Sequence, residues 1–136
     1  MEINTLGLTA ALTAFLSIWL GHVAVRKIEA TSRTIWIPTI TALALGLITE
    51  YCSLITDNLS LKTALGILGV TLLWDAFELH RQEKRVKHGH APANPNNPRH
   101  AKILAEHSTA TTLDLLKRDP VGRPVPPDEA PKLITH

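Results

Sequence analysis

From Ile3 to Val25 the chain carries no charged residue, and this run limits the possible folds more than any other feature. At about 1.5 Å rise per residue, a helix of that length crosses a hydrocarbon layer of about 30 Å. A second uncharged run extends from Thr34 to Thr49 and continues past Glu50 as YCSLI. The third runs from Thr63 to Trp74 and passes, with no Gly or Pro at the junction, into a segment bearing Asp75, Glu78, His80, Arg81, Glu83, Lys84 and Arg85. One helix that is apolar all round and then becomes charged is leaving lipid for water. A soluble three-helix bundle would show a polar stripe opposite each apolar one, and these runs are apolar around most of their circumference.

A cleaved signal peptide fits the first run poorly. Its start has Glu2 and no Lys or Arg, the apolar stretch exceeds the usual core length, and no small-x-small site follows. Three spans are therefore expected, at about 3–25, 35–55 and 59–79, within a domain covering residues 1–88. Cys52 is the single cysteine, so no internal disulfide is available.

Charge gives the expected orientation. The loop RKIEATSRT holds Arg26, Lys27 and Arg33 against Glu29, and the segment after the third span holds Arg81, Lys84, Arg85, Lys87, Arg99 and Lys102 against Glu83. Basic loops stay cytoplasmic, so both segments belong on one side. Three spans meet that requirement with the N-terminus outside and the C-terminus cytoplasmic. Arg26, Lys27, Arg33, Arg81, Lys84, Arg85 and Lys87 are then expected to anchor at headgroups, with a preference for anionic lipid. That position directly below a span disfavours nucleic acid as the partner of the same basic cluster.

Small residues at Gly7 and Ala11, Ala10 and Ala14, and Ala42 and Gly46 offer faces on which helices can approach closely, and Gly66 and Gly69 fall in the first half of the third span. Pro38 falls where a second helix would begin, and Asn58 or Ser60 can cap the third. Beyond Val86, KHGHAPANPNNPR reads as an extended linker near the headgroups. Asn97-Pro98 is a helix start, with a short amphipathic helix running to Glu106 and another from about Ser108 to Arg118. The remaining DPVGRPVPPDEAPKLITH has too many prolines for regular structure, and disorder is expected.

The candidate functional residues are polar groups at lipid depth: His22, Glu50, Lys62, Asp75 and Glu78. His22 near the inner end of the first span can meet Asp75 and Glu78 near the inner end of the third, with Arg26 one turn below. Such a cluster reads either as an ion-pair layer that fixes helix register or as a proton-titrating or metal site. Glu50 lies about as far from the outer end of the second span as Lys62 lies into the third, so the two are expected to pair. Intramembrane carboxyls mark ion paths often enough that Glu50 is also a transport candidate. His80, His88 and His90 lack a cysteine partner, and they read as a headgroup-facing surface rather than a metal site. No phosphate loop, nucleophile elbow or metalloprotease motif is present, so no cofactor, metal or enzymatic activity is expected.

The third helix ends in Trp74, Glu78-Leu79, Gln82-Glu83, Arg85-Val86 and Gly89, a W-x3-EL-x2-QE-x-RV-x2-G pattern followed by Pro92 and Asn94-Pro95. With Gly21-His22, Glu29, Trp36 near a Pro, and Glu50, the chain resembles a family of small bacterial integral membrane proteins of unknown function with three predicted spans. The likeness covers roughly residues 2 to 98; Val23 stands where the pattern has Pro and His90 where it has an aromatic. The resemblance implies topology and no mechanism, and the segment after Arg99 looks like an extension.

The expected fold is thus all-α, a membrane bundle of three helices with the third extending into the cytoplasm, followed by a Pro-rich tail over 89–136. The expected function is non-enzymatic, as a self-associating protein or an accessory subunit of a larger membrane complex. The rival is a small oligomeric ion- or proton-coupled transporter using Glu50.

Overall fold

The computed structural model describes residues 4–117, 122–126 and 128–133. Four α-helices follow one another: α1 (Thr5–Thr31), α2 (Trp36–Ile55), α3 (Leu59–Lys87) and α4 (Pro98–Glu106), with no strand among the described residues. The first three are long and apolar enough to cross a membrane. Two compact units divide the chain, residues 1–29 with 34–80 and residues 30–33 with 81–136.

Helix boundaries follow local chemistry. Pro38 sits in the first turn of α2, where few intrahelical donors are lost. Asn58 Oδ1 accepts the backbone N–H of Leu61 at 2.9 Å and so caps α3. Helix α1 departs from expectation by continuing through Arg26–Thr31, which reduces the loop to residues 32–35. The segment RKIEAT contains no Gly or Pro and several good helix formers, so the helix has no reason to stop where its sequence turns polar.

In the first unit α3 packs against both other helices. The buried residues of α1, Ser17, Gly21, Val25 and Glu29, recur every four positions and form one stripe. Ser17 Oγ lies 3.2 Å from Thr71 Oγ1, and Gly21 lies against the Asp75 carboxylate, so α1 and α3 run parallel. Helix α2 runs antiparallel to α3: Gly46 faces Leu73, Glu50 faces Gly69, and Ser53 Oγ donates to the Lys62 carbonyl at 2.9 Å. A small apolar cluster of Val25, Ile35 and Leu79 closes one end, beside which the His80 ring meets Trp36 edge-on at 5.1 Å. Thr39 Oγ1 donates to the Ile35 carbonyl at 2.8 Å, so in its 3.3 Å contact with His80 Nε2 the ring is the donor. The Ala42–Gly46 and Gly66–Gly69 faces supply close contacts, whereas Gly7 and Ala11 stay exposed.

The second unit replaces the expected linker with an ordered fold. Val86, Ala93 and Ile103 form its apolar centre. Gly89 has a positive φ of 72°, and a Cβ there would overlap the Thr109 carbonyl oxygen, so only glycine fits this turn. Ala93 N–H donates to the Thr111 carbonyl at 2.8 Å and Thr109 Oγ1 donates to the Lys87 carbonyl at 2.8 Å. Asn97 caps α4 by accepting from Arg99 N–H at 3.0 Å, and its Nδ2 donates to the carbonyls of Ala30 and Ser32, each at 3.0 Å. Asn94 Nδ2 also donates to Ala30 at 3.0 Å, and Arg99 Nε donates to Ser32 at 3.2 Å. Fully buried His100 accepts the Asn94 backbone N–H on Nδ1 at 2.9 Å.

Helix α4 occupies the span expected for it, residues 98–106. The second short helix does not form: residues 107–114 are turns and irregular backbone, and only Leu115–Lys117 makes a 3-10 turn. Thr109 and Thr111 are instead committed to the 87–93 segment. The expected disorder of the Pro-rich tail falls partly on residues 118–121, 127 and 134–136, which lie outside the described residues. Among the described ones, Arg123 pairs with Glu129 through both guanidinium nitrogens, and Ala130–Leu133 forms a 3-10 turn.

Two substitutions test these contacts. A Cβ at Gly46 would come within 2.8 Å of Leu73 and 3.1 Å of the Gly69 carbonyl oxygen. Gly46→Val should therefore cost about 1–3 kcal/mol, read as a lower thermal midpoint in mild detergent, with the exposed Ala44→Val near neutral. Asn97→Ala removes the α4 cap and the donors to Ala30 and Ser32. Limited proteolysis beyond residue 88 should accelerate by about tenfold or more, whereas Asn96→Ala, at an exposed position, should leave the rate unchanged.

Candidate functional site

Intramembrane polar groups converge on α3 from both sides because α3 presents small residues at the crossing points. Glycine 69 is buried beneath Glu50, and a Cβ added there would lie 2.6 Å from Glu50 Oε1. That oxygen is buried and has no hydrogen-bond partner among the described residues. A polar group at lipid depth is costly unless it is partnered, and Glu50 Oε1 has no compensating donor among the described residues.

Lys62 is not that donor. It lies seven residues before Gly69 on α3, about 10 Å along the axis, and no ion pair joins it to Glu50 among the described residues. The antiparallel register set by Gly46 against Leu73, Glu50 against Gly69 and Ser53 against Gly66 places Lys62 about one turn beyond Ser53, past the end of α2. Counting each residue's distance from its own span end misjudged the depth because the register is fixed by where glycines admit a neighbour.

On the other side of α3, His22 and Asp75 do come together. Asp75 lies across Gly21, with its oxygens 2.6 and 2.9 Å from where a Cβ on that glycine would stand. His22 and Asp75 line a cleft of about 300 Å³ with Ile18, Val70, Thr71 and Trp74. Glu78, one turn further along α3, is buried, while Arg26 is exposed and makes no ion pair among the described residues. The cluster is therefore a carboxylate and an imidazole at a cleft, and Arg26 does not join it.

The candidate anchoring residues divide into two sets. Arg26, Lys27, Arg33, Arg81 and Lys84 are exposed, whereas Lys87 pairs with Glu83 at 3.3 Å and Arg85 donates to Gln82 Oε1 at 3.0 Å. His88 Nδ1 lies 2.7 Å from the Lys84 carbonyl, and its ring stacks on His90 with centroids 6.1 Å apart. No group of three or more His, Cys, Asp or Glu residues is placed to hold a metal ion among the described residues. Sequence reasoning missed the Glu83–Arg99 ion pair at 3.3 Å and the role of His100. Only the Asn97-Pro98 start signal pointed toward that region, and it predicts a helix without saying what the helix will pack on.

No curated protein and no solved structure matches the chain. Residues 4–97, which take in α1 to α3, the Gly89 turn and the two asparagines at 94 and 97, match a family described as a domain of unknown function, DUF4491. That match covers more than half of the sequence, and the chain belongs to the DUF4491 family.

Proposed function

We propose that this chain is a small bacterial inner-membrane protein that acts without catalysis, by associating with itself or as an accessory subunit of a larger membrane complex. The carrying observation is how little of each helix its neighbours cover. In the most apolar window of each long helix, no more than 17% of residues are buried. Lipid covers such surface adequately, but the same surface is where other helices pack, and Gly7 and Ala11 remain exposed there as a small-residue face. The orientation that suits this reading has the N-terminus outside, with Arg26, Lys27, Arg33, Arg81 and Lys84 at cytoplasmic headgroups. Extraction in a mild maltoside detergent, followed by light scattering on the eluted peak, should give a protein mass above that of one chain or a reproducible co-purifying subunit. A monodisperse single chain with no partner overturns the reading.

A second reading, an ion- or proton-coupled transporter, is favoured by the buried, unpartnered Oε1 of Glu50. Carboxyls at lipid depth often mark ion and proton paths. Vesicles reconstituted with the wild-type chain should then carry a proton or cation flux that Glu50→Gln removes. Equal flux in both, or none in either, ends this alternative.

A further inference from the structure

The cleft between α1 and α3 holds groups that neither association nor Glu50 uses. Its walls are the side chains of Ile18, Val70 and Trp74, and its polar groups are Thr71, His22 and Asp75. Thr71 Oγ1 already donates to the Ile67 carbonyl at 2.8 Å and meets Ser17 at 3.2 Å, so its hydroxyl is committed. The Asp75 carboxylate is different. Gly21 lets it lie flat against α1, and it makes no hydrogen bond or ion pair of its own among the described residues, although His22 and Glu78 lie within electrostatic reach. Trp74 is half exposed, and its indole stands 5.6 Å from the Phe77 ring.

We propose that this cleft binds a small organic cation, an amine or quaternary ammonium carried on an apolar body. Charge complementarity selects the head: a carboxylate at lipid depth is costly while it stands alone, and a bound cation removes that cost. The neighbouring indole adds attraction to an ammonium that a neutral guest would not feel. The Asp75 carboxylate repels an anion. An inorganic metal ion is a poor occupant, because one carboxylate and one imidazole between aliphatic walls fall short of the ligand number such ions take. The volume of about 300 Å³ is at the lower end for small-molecule sites and suits a guest of benzyltrimethylammonium size.

The test is equilibrium dialysis of the full-length chain, in uncharged maltoside micelles, against benzyltrimethylammonium, with phenylmethanesulfonate as the anion of matched shape. The expected result is one saturable cation site per chain and no saturable sulfonate binding. Asp75→Asn should weaken the cation by about tenfold or more, as the loss of one contact to a charged group implies. Trp74→Leu should weaken it several-fold, and Asp57→Asn, at an exposed turn outside the cleft, should leave it unchanged. If Asp75→Asn loses its helical circular dichroism, Trp74→Leu and the cation-to-sulfonate comparison decide. Absence of saturable binding by the wild type, equal affinity in a folded Asp75→Asn, or equal binding of the sulfonate each overturn the proposal. A cleft filled by a basic side chain of another chain would show the first of these outcomes.

Discussion

A polar group surrounded by hydrocarbon has nowhere to hydrogen-bond except its own helix or the next one, and the first unit is arranged around that restriction. Its threonines obey the restriction locally. Thr9, Thr41, Thr49, Thr63 and Thr71 each return the hydroxyl to the carbonyl four residues earlier, at distances of 2.7–2.9 Å. Such a residue can face lipid with its donor already used, which is why runs containing this many hydroxyls still have the character of spans. Polar groups that reach beyond their own helix, among them Ser17, Ser53, Glu50 and Asp75, turn toward α3 or extend from it. The packing faces are thus set by what the helix backbone cannot satisfy, together with the glycines that let those groups approach.

This division explains what could be read from the sequence alone. The ends of α2 and α3 were legible because length, hydropathy and the caps at Asn58 and Pro38 are local properties. The start of α4 was legible for the same reason, since Asn97-Pro98 states its own geometry. Depth pairing was legible only where both partners sit beside a close crossing, as Asp75 does on Gly21. It failed for Glu50 and Lys62, because antiparallel register depends on which side chains interdigitate, and the lysine falls about one turn beyond Ser53. The length of α1 was missed because a rise in charge marks the edge of lipid, and a helix does not need lipid to continue.

The second unit is held on a different principle. Among the described residues its apolar centre is small, Val86, Ala93 and Ile103 with Ala91, Leu104 and Ala110 packed against them, and directed hydrogen bonds run from asparagines and an arginine to backbone carbonyls. A run of Pro, Asn and Gly looks like a linker when each residue is scored for its own preference. It becomes ordered once Arg99 and His100, which lie past the family match that ends at residue 97, supply the donor to Ser32 and the acceptor for Asn94. Composition could not reveal this, since Ala30 and Ser32 lie more than 60 positions before the side chains that donate to them.

That separation has a bearing on biosynthesis. The carbonyls of Ala30 and Ser32 wait for asparagine donors 64 and 65 to 67 residues downstream. At about 5–20 residues per second of translation, those donors leave the ribosome several seconds after the first hydrophobic helix. The tie is therefore absent while the first helix is being threaded and can close only once the third has been made.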